Sequence, residues 1–214
     1  MQNAPVELPE HVQRRLTVYK AVGAVLLIGV WGWFALVESD QTPVFVYLNI
    51  AVHETGHVLF RPFGELTMLI MGSGFEVLFP FLVGIYFLIK RDVVATSVCF
   101  GWAASALASA ATYIADADDG RLALLGVTGP DSAGDWERIL GAEFFDKVFL
   151  ADRIASIVRS GGFVVWFAAL GIAVATIAWN LRKVPSGGPA ERWSRPRAAP
   201  TVPPVSVTDE EMWG

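Results

Sequence analysis

Charge is what this 214-residue chain has least of. Asp, Glu, Lys and Arg together make up 17% of it, against 54% hydrophobic residues, and mean hydropathy is +0.48. A soluble domain carries about 25% charged residues, because its surface must be hydrated. Part of this surface is therefore expected to face lipid. Basic residues are the scarcer sign, 16 Lys and Arg against 21 Asp and Glu. With a net charge of −5 and no basic stripe, nucleic acid is excluded as a partner. A single cysteine, Cys99, lies within an apolar run and rules out a disulfide framework. Histidine is rare as well: three in all, too few for the several histidine boxes of a di-iron lipid desaturase or hydroxylase.

Long apolar runs are what the chain does have. Five stand out: Tyr19–Val37, Pro43–Phe60, Leu66–Ile89, Val93–Ala115 and Phe163–Leu181. At 1.5 Å per residue each is long enough for a hydrocarbon core of ~30 Å. The first reads as a retained anchor. It leaves through Ala35-Leu36-Val37-Glu38, a poor cleavage site, and Trp31 and Trp33 suit an interfacial belt. The fourth is rich in Ala, Ser and Gly, which let membrane helices approach closely. Between the last two runs, 116–160 is polar, and from Trp136 its apolar residues take helical spacing, predicting an amphipathic helix against bilayer or bundle. The proline-rich segment 184–214 has no apolar periodicity and is expected to be a disordered tail. The fold class is thus all-α: a polytopic membrane bundle of four to five segments over 1–183, followed by that tail.

Three basic clusters bear on orientation: Arg14, Arg15 and Lys20; Lys90 and Arg91; Arg182 and Lys183. The positive-inside rule sends each to the cytoplasm, with the N-terminus. All three agree only if Pro43–Phe60 does not fully cross. If it does cross, the count is five and Lys90-Arg91 lies outside.

One motif carries chemistry. His53-Glu54-Thr55-Gly56-His57 is HExxH, which on a helix sets two imidazoles one turn apart on one face, within reach of one ion. Zinc takes such nitrogens, and Glu54 beside them is suited to take a proton from water held by the ion. The bland reading is a polar helix face hydrogen-bonded inside a bundle. It is the weaker one here, because ionisable groups in an apolar segment are costly and by default mark a functional site. Asn49, one turn before His53, extends the polar face toward substrate binding or helix packing.

A catalytic zinc site needs a third protein ligand. His11 lies far off in the polar N-terminal segment, so a carboxylate is expected. Asp135, in Gly134-Asp135-Trp136, ranks first, although Asp is also a good helix N-cap. Asp116, where the fourth run ends, ranks second. Glu76, inside the third run, is expected to support a histidine by a hydrogen bond from behind it.

These residues resemble a family. HExxH in an apolar segment, further membrane runs and a later Asp resemble the site-2-protease class of intramembrane zinc metallopeptidases. With Phe60-Arg61-Pro62-Phe63-Gly64-Glu65, Gly72-Ser73, Tyr113-Ile114-Ala115-Asp116-Ala117 and Asp135-Trp136, the chain is more closely similar to a group of small bacterial HExxH membrane proteins. The likeness spans about residues 43–140. It implies His53 and His57 as ligands, Glu54 as catalytic base, a later Asp as third ligand, and residence in a bacterial inner membrane. The Asn-Pro-Asp-Gly and Leu-Asp-Gly signatures of site-2 proteases are absent, and Gly134 stands where the smaller relatives tend to carry His.

The expected function is therefore a membrane-embedded zinc peptidase acting on membrane-protein or peptide substrates, with Zn2+ as cofactor and the lipid bilayer as surroundings. The alternative is a non-catalytic, metal-binding scaffold of the same fold, which tolerates Glu54→Gln. A transporter using the His/Glu groups as a proton relay is a third reading, exposed by proton-coupled flux.

Overall fold

The computed structural model describes residues 8–38, 43–120 and 134–182. Six α-helices account for most of them: α1 (Glu10–Gly32), α2 (Pro43–Phe60), α3 (Glu65–Ile89), α4 (Val93–Ala115), α5 (Asp135–Leu140) and α6 (Ala151–Arg182). There is no strand among the described residues. The predicted tail, 184–214, lies outside them.

Four helical stretches are long and apolar enough to cross a membrane: Glu10–Val37, Glu65–Ile89, Val93–Ala115 and Val148–Arg182. They turn large apolar side chains outward, with Val30, Leu82, Val164 and Phe167 each more than half exposed. Such a surface suits hydrocarbon and would be an aggregation hazard in water. What they turn inward is small. Ala24, Ala35, Ala104, Ala108, Ala169 and Ala173 form the seam of α1, α4 and α6 around Ile28 and Trp166. The Trp166 indole N–H donates to the Ile28 carbonyl at 2.8 Å, which satisfies the donor of the largest ring that α6 brings to that seam.

Packing partners fix the helix directions. Ile28 of α1 lies against Gly101 of α4, and Leu36, further up the chain, lies with Ala104 and Leu107 beside Gly162. So α1 runs the same way as α4 and opposite to α6. The α2 helix meets Trp102 and Ser105 of α4 through Asn49, and Tyr113 through His53. It too runs with α4, and antiparallel to α3. Two consecutive full crossings must run in opposite directions, and α1 and α2 do not. The α2 helix is also not among the four stretches that are long and apolar enough to span.

Two elements differ from their sequence expectation. The amphipathic helix predicted from Trp136 is broken: α5 ends at Gly141, whose N–H closes on the Glu137 carbonyl at 2.8 Å, and Asp146 takes a positive φ of 50°. The apolar residues on either side still share one cluster, where Ile139, Leu140 and Ala155 pack with Leu69 and Ile114. The last helix begins at Ala151, well before its apolar run.

Candidate metal centre

Two helices and one short loop helix build the site. His53 and His57 occupy one face of α2, with α3 directly behind. Contact is close because both helices carry glycine there. A Cβ at Gly56 would fall 2.1 Å from the Met71 carbonyl, and one at Gly72 would fall 2.5–2.7 Å from the His57 and His53 rings. A side chain at Gly72 would thus fill the space between the two Nε2 atoms.

Asp135 arrives from 82 residues beyond His53, at the first position of α5. Three contacts hold it there. Its own backbone N–H donates to the Tyr113 hydroxyl at 2.9 Å, the Trp136 indole N–H donates to Ser73 Oγ at 3.0 Å, and Arg138 pairs with Glu65 at 2.6 Å. A helix of six residues does not hold itself together in water, so docking onto α3 and α4 is what positions it.

The three side chains then converge. His53 Nε2 and His57 Nε2 are 3.0 Å apart, and Asp135 Oδ2 is 3.0 Å from each. They form a group that could hold a metal ion. A triangle of that size leaves a point about 1 Å above its plane that is ~2.0–2.1 Å from all three atoms, the bond length a divalent ion requires.

Groups behind the imidazoles fit the same purpose. His57 Nδ1 donates to the Met68 carbonyl at 2.9 Å, which fixes the tautomer that turns a lone pair on Nε2 toward the group. His53 Nδ1 is 3.4 Å from Glu76 Oε2, and Ser109 of α4 stands near the same carboxyl. Glu76 is buried and lies behind His53, the position of a support residue rather than a ligand. Burial pushes the Asp135 carboxyl toward its neutral form, but when the His53 and His57 rings carry a second proton and donate through Nε2 they outweigh this and hold it down at about 2.

The remaining candidates lie elsewhere. Asp116 caps the end of α4 and receives the Gly120 N–H at its own carbonyl; it is not part of the group of three. Asn49 is buried and committed to α4, accepting from the Trp102 indole at 2.9 Å and facing Ser105 Oγ at 3.4 Å. His11 is exposed at the start of α1. Glu54 is half-buried beside His53. No hydrogen bond or ion pair engages its carboxylate among the described residues.

Sequence reasoning gave no role to Gly72, Ser73 or Tyr113. Gly72 and Ser73 had a visible signal. They break an apolar run at the spacing that shares a helix face with Glu76.

No protein-family model, curated protein or solved structure matches the chain.

Proposed function

We propose that the protein is a membrane-embedded zinc peptidase that hydrolyses peptide bonds of membrane-associated substrates. The observation that carries this reading is the triangle of His53 Nε2, His57 Nε2 and Asp135 Oδ2, 3.0 Å on each side, with Glu54 next to His53 in the chain. Two imidazoles and one carboxylate with no thiolate form the donor set of a catalytic rather than a structural zinc site, and three protein ligands leave a fourth position open. Zinc, when bound, supplies a Lewis acid that acidifies water and polarises a peptide carbonyl.

The protein's own groups do the rest. His53, His57 and Asp135 hold the ion, and Met68 and Glu76 keep both imidazoles turned toward it. The Glu54 carboxylate takes a proton from the attacking water as its oxygen bonds to the carbonyl carbon. It then returns that proton to the leaving nitrogen as the carbon–nitrogen bond breaks. The substrate must be locally unwound, since a helix engages its carbonyls in its own hydrogen bonds.

The test is metal content by mass spectrometry on detergent-purified protein, with cleavage assayed alongside. Wild type is expected to carry about one zinc per chain, and His57→Ala to lose it. Glu54→Gln should keep the zinc and lose turnover by about 10²–10⁴, which makes it a trap for membrane substrates. Metal-free wild-type protein would overturn the reading. Metal bound with no cleavage, and no effect of Glu54→Gln, would leave the non-catalytic scaffold instead.

A further inference from the structure

The two ends of the bundle differ in charge, and the site lies at one of them. Because α1 and α4 run one way and α3 and α6 the other, Arg14, Arg15 and Lys20 at the start of α1, Lys90 and Arg91 between α3 and α4, and Arg182 at the end of α6 share one end. These are six of the chain's 16 Lys and Arg; Arg61, Arg138, Lys147, Arg153 and Arg159 are the other basic residues among those described. Of these, Arg138 is tied between Glu65 and Glu143, and Arg159 donates to Thr112 of α4 at 3.0 Å.

The metal group sits at the opposite end. His57 is three residues from the end of α2, Tyr113 two from the end of α4, and Gly72 lies in the second turn of α3. At 1.5 Å per residue, Gly72 is only ~10 Å inside the start of its helix. Asp135 comes in from the polar segment on that same side. The direction of α2 matters here: had it crossed back, the motif would lie at the end that holds Arg14, Arg15 and Lys20, and Lys90, Arg91 and Arg182 at the other.

We infer that the site opens on the non-cytoplasmic face of the membrane, and that its substrates are membrane-anchored polypeptides whose scissile bond lies within about two helical turns of that surface. The sidedness rests on helix direction and charge alone; the word substrate rests on the peptidase reading above. A bond exposed to the cytoplasm is out of reach, as is one at the cytoplasmic end of a membrane helix. The zinc must be acquired from, and exchanges with, the non-cytoplasmic compartment.

The test is cysteine labelling of the full-length chain in a bacterial host, with Cys99→Ser removing the native thiol. Asp118→Cys marks the site end and Lys90→Cys the basic end; both positions are exposed. A membrane-impermeant maleimide on intact spheroplasts should label Asp118→Cys fully, and Lys90→Cys only after lysis. The reverse pattern would overturn the inference. Labelling needs neither metal nor substrate, so it is readable even if the purified protein proves metal-free, and the two readings fail independently. A second arm uses single-span substrates carrying a helix-breaking pair near one end or the other. Only the pair at the non-cytoplasmic end should be cut, and preferential cutting at the cytoplasmic end would refute the assignment.

Discussion

Gly72 shows how a residue with no side chain can let two imidazoles and a carboxylate meet. It stands on α3 opposite the two imidazoles, where a methyl group would lie 2.6 and 2.7 Å from the His57 and His53 Nε2 atoms. Gly72→Ala should leave the helices intact, since alanine favours a helix interior over glycine by about 1 kcal/mol. It should nevertheless push both rings off the shared ion and lower metal affinity by at least about 100-fold, beyond what losing one supporting contact costs. Metal titration against a chelator, beside circular dichroism, checks both halves. If Gly72→Ala keeps wild-type affinity, the two Nε2 atoms are not ligands. At this scale the sequence was legible where spacing alone carries the geometry, as it does for His53 and His57. For the third member of the group it gave a ranking, with Asp135 first, rather than an assignment. Asp135 is 82 residues from His53, and Asp135, Asp116 and Glu76 were all chemically suitable; only the fold separates the carboxylate that meets both imidazoles from one at a helix end and one behind His53.

Among the elements, α5 is the least self-sufficient and the most consequential. Its six residues bury Ile139 and Leu140, but its register over the site depends on the Trp136 indole reaching Ser73 and on Tyr113 receiving the Asp135 N–H. The exposed pairs of Arg138 with Glu65 and Glu143 add little in comparison, since such pairs contribute about 0–1 kcal/mol. Trp136→Ala removes both the hydrogen bond and a ring that packs against the cluster containing Leu69 and Ile114. It should loosen Asp135, lowering metal affinity by about 10–100-fold, and Arg138→Ala should change affinity far less. Equal effects from the two would mean that charge, not the indole, holds α5. The elements themselves were largely readable. Pro43–Phe60 and Val93–Ala115 coincide with their apolar runs, whereas α1 and α6 begin well before theirs, in polar sequence. Hydropathy measures the thickness of hydrocarbon, while helix hydrogen bonding runs on beyond it. The break after α5 was hidden because the helical spacing resumes across Gly141 and Asp146, and periodicity does not register a turn that returns the chain to the same cluster.

Across the whole molecule, the helix bundle and the metal group are held by different contacts, and that separation is testable. The seam of α1, α4 and α6 is built on alanines, Ile28 and Trp166, while the metal group draws on α2, α3, α5 and the last turn of α4. Helix directions, which put the metal group at one end of the bundle, were not written in any local pattern. The sequence left four and five crossings open, and what favours four is that Asn49 and Ile28 both meet α4 from helices running its way. Gly32 is the point where α1 admits Trp166. A Cβ there would lie 2.0 Å from the indole nitrogen, in a ring too large and too buried to swing aside. Gly32→Ala should therefore force α1 and α6 apart, with an overpacking cost of about 1–3 kcal/mol and a further loss if the indole can no longer reach the Ile28 carbonyl. Thermal unfolding in detergent should show a lower midpoint. Zinc affinity below that midpoint should stay within about threefold of wild type, because residues in separate clusters couple weakly. A variant that loses zinc in step with its midpoint would show instead that α1 and α6 hold the metal site together from a distance, and that the bundle is one cooperative unit.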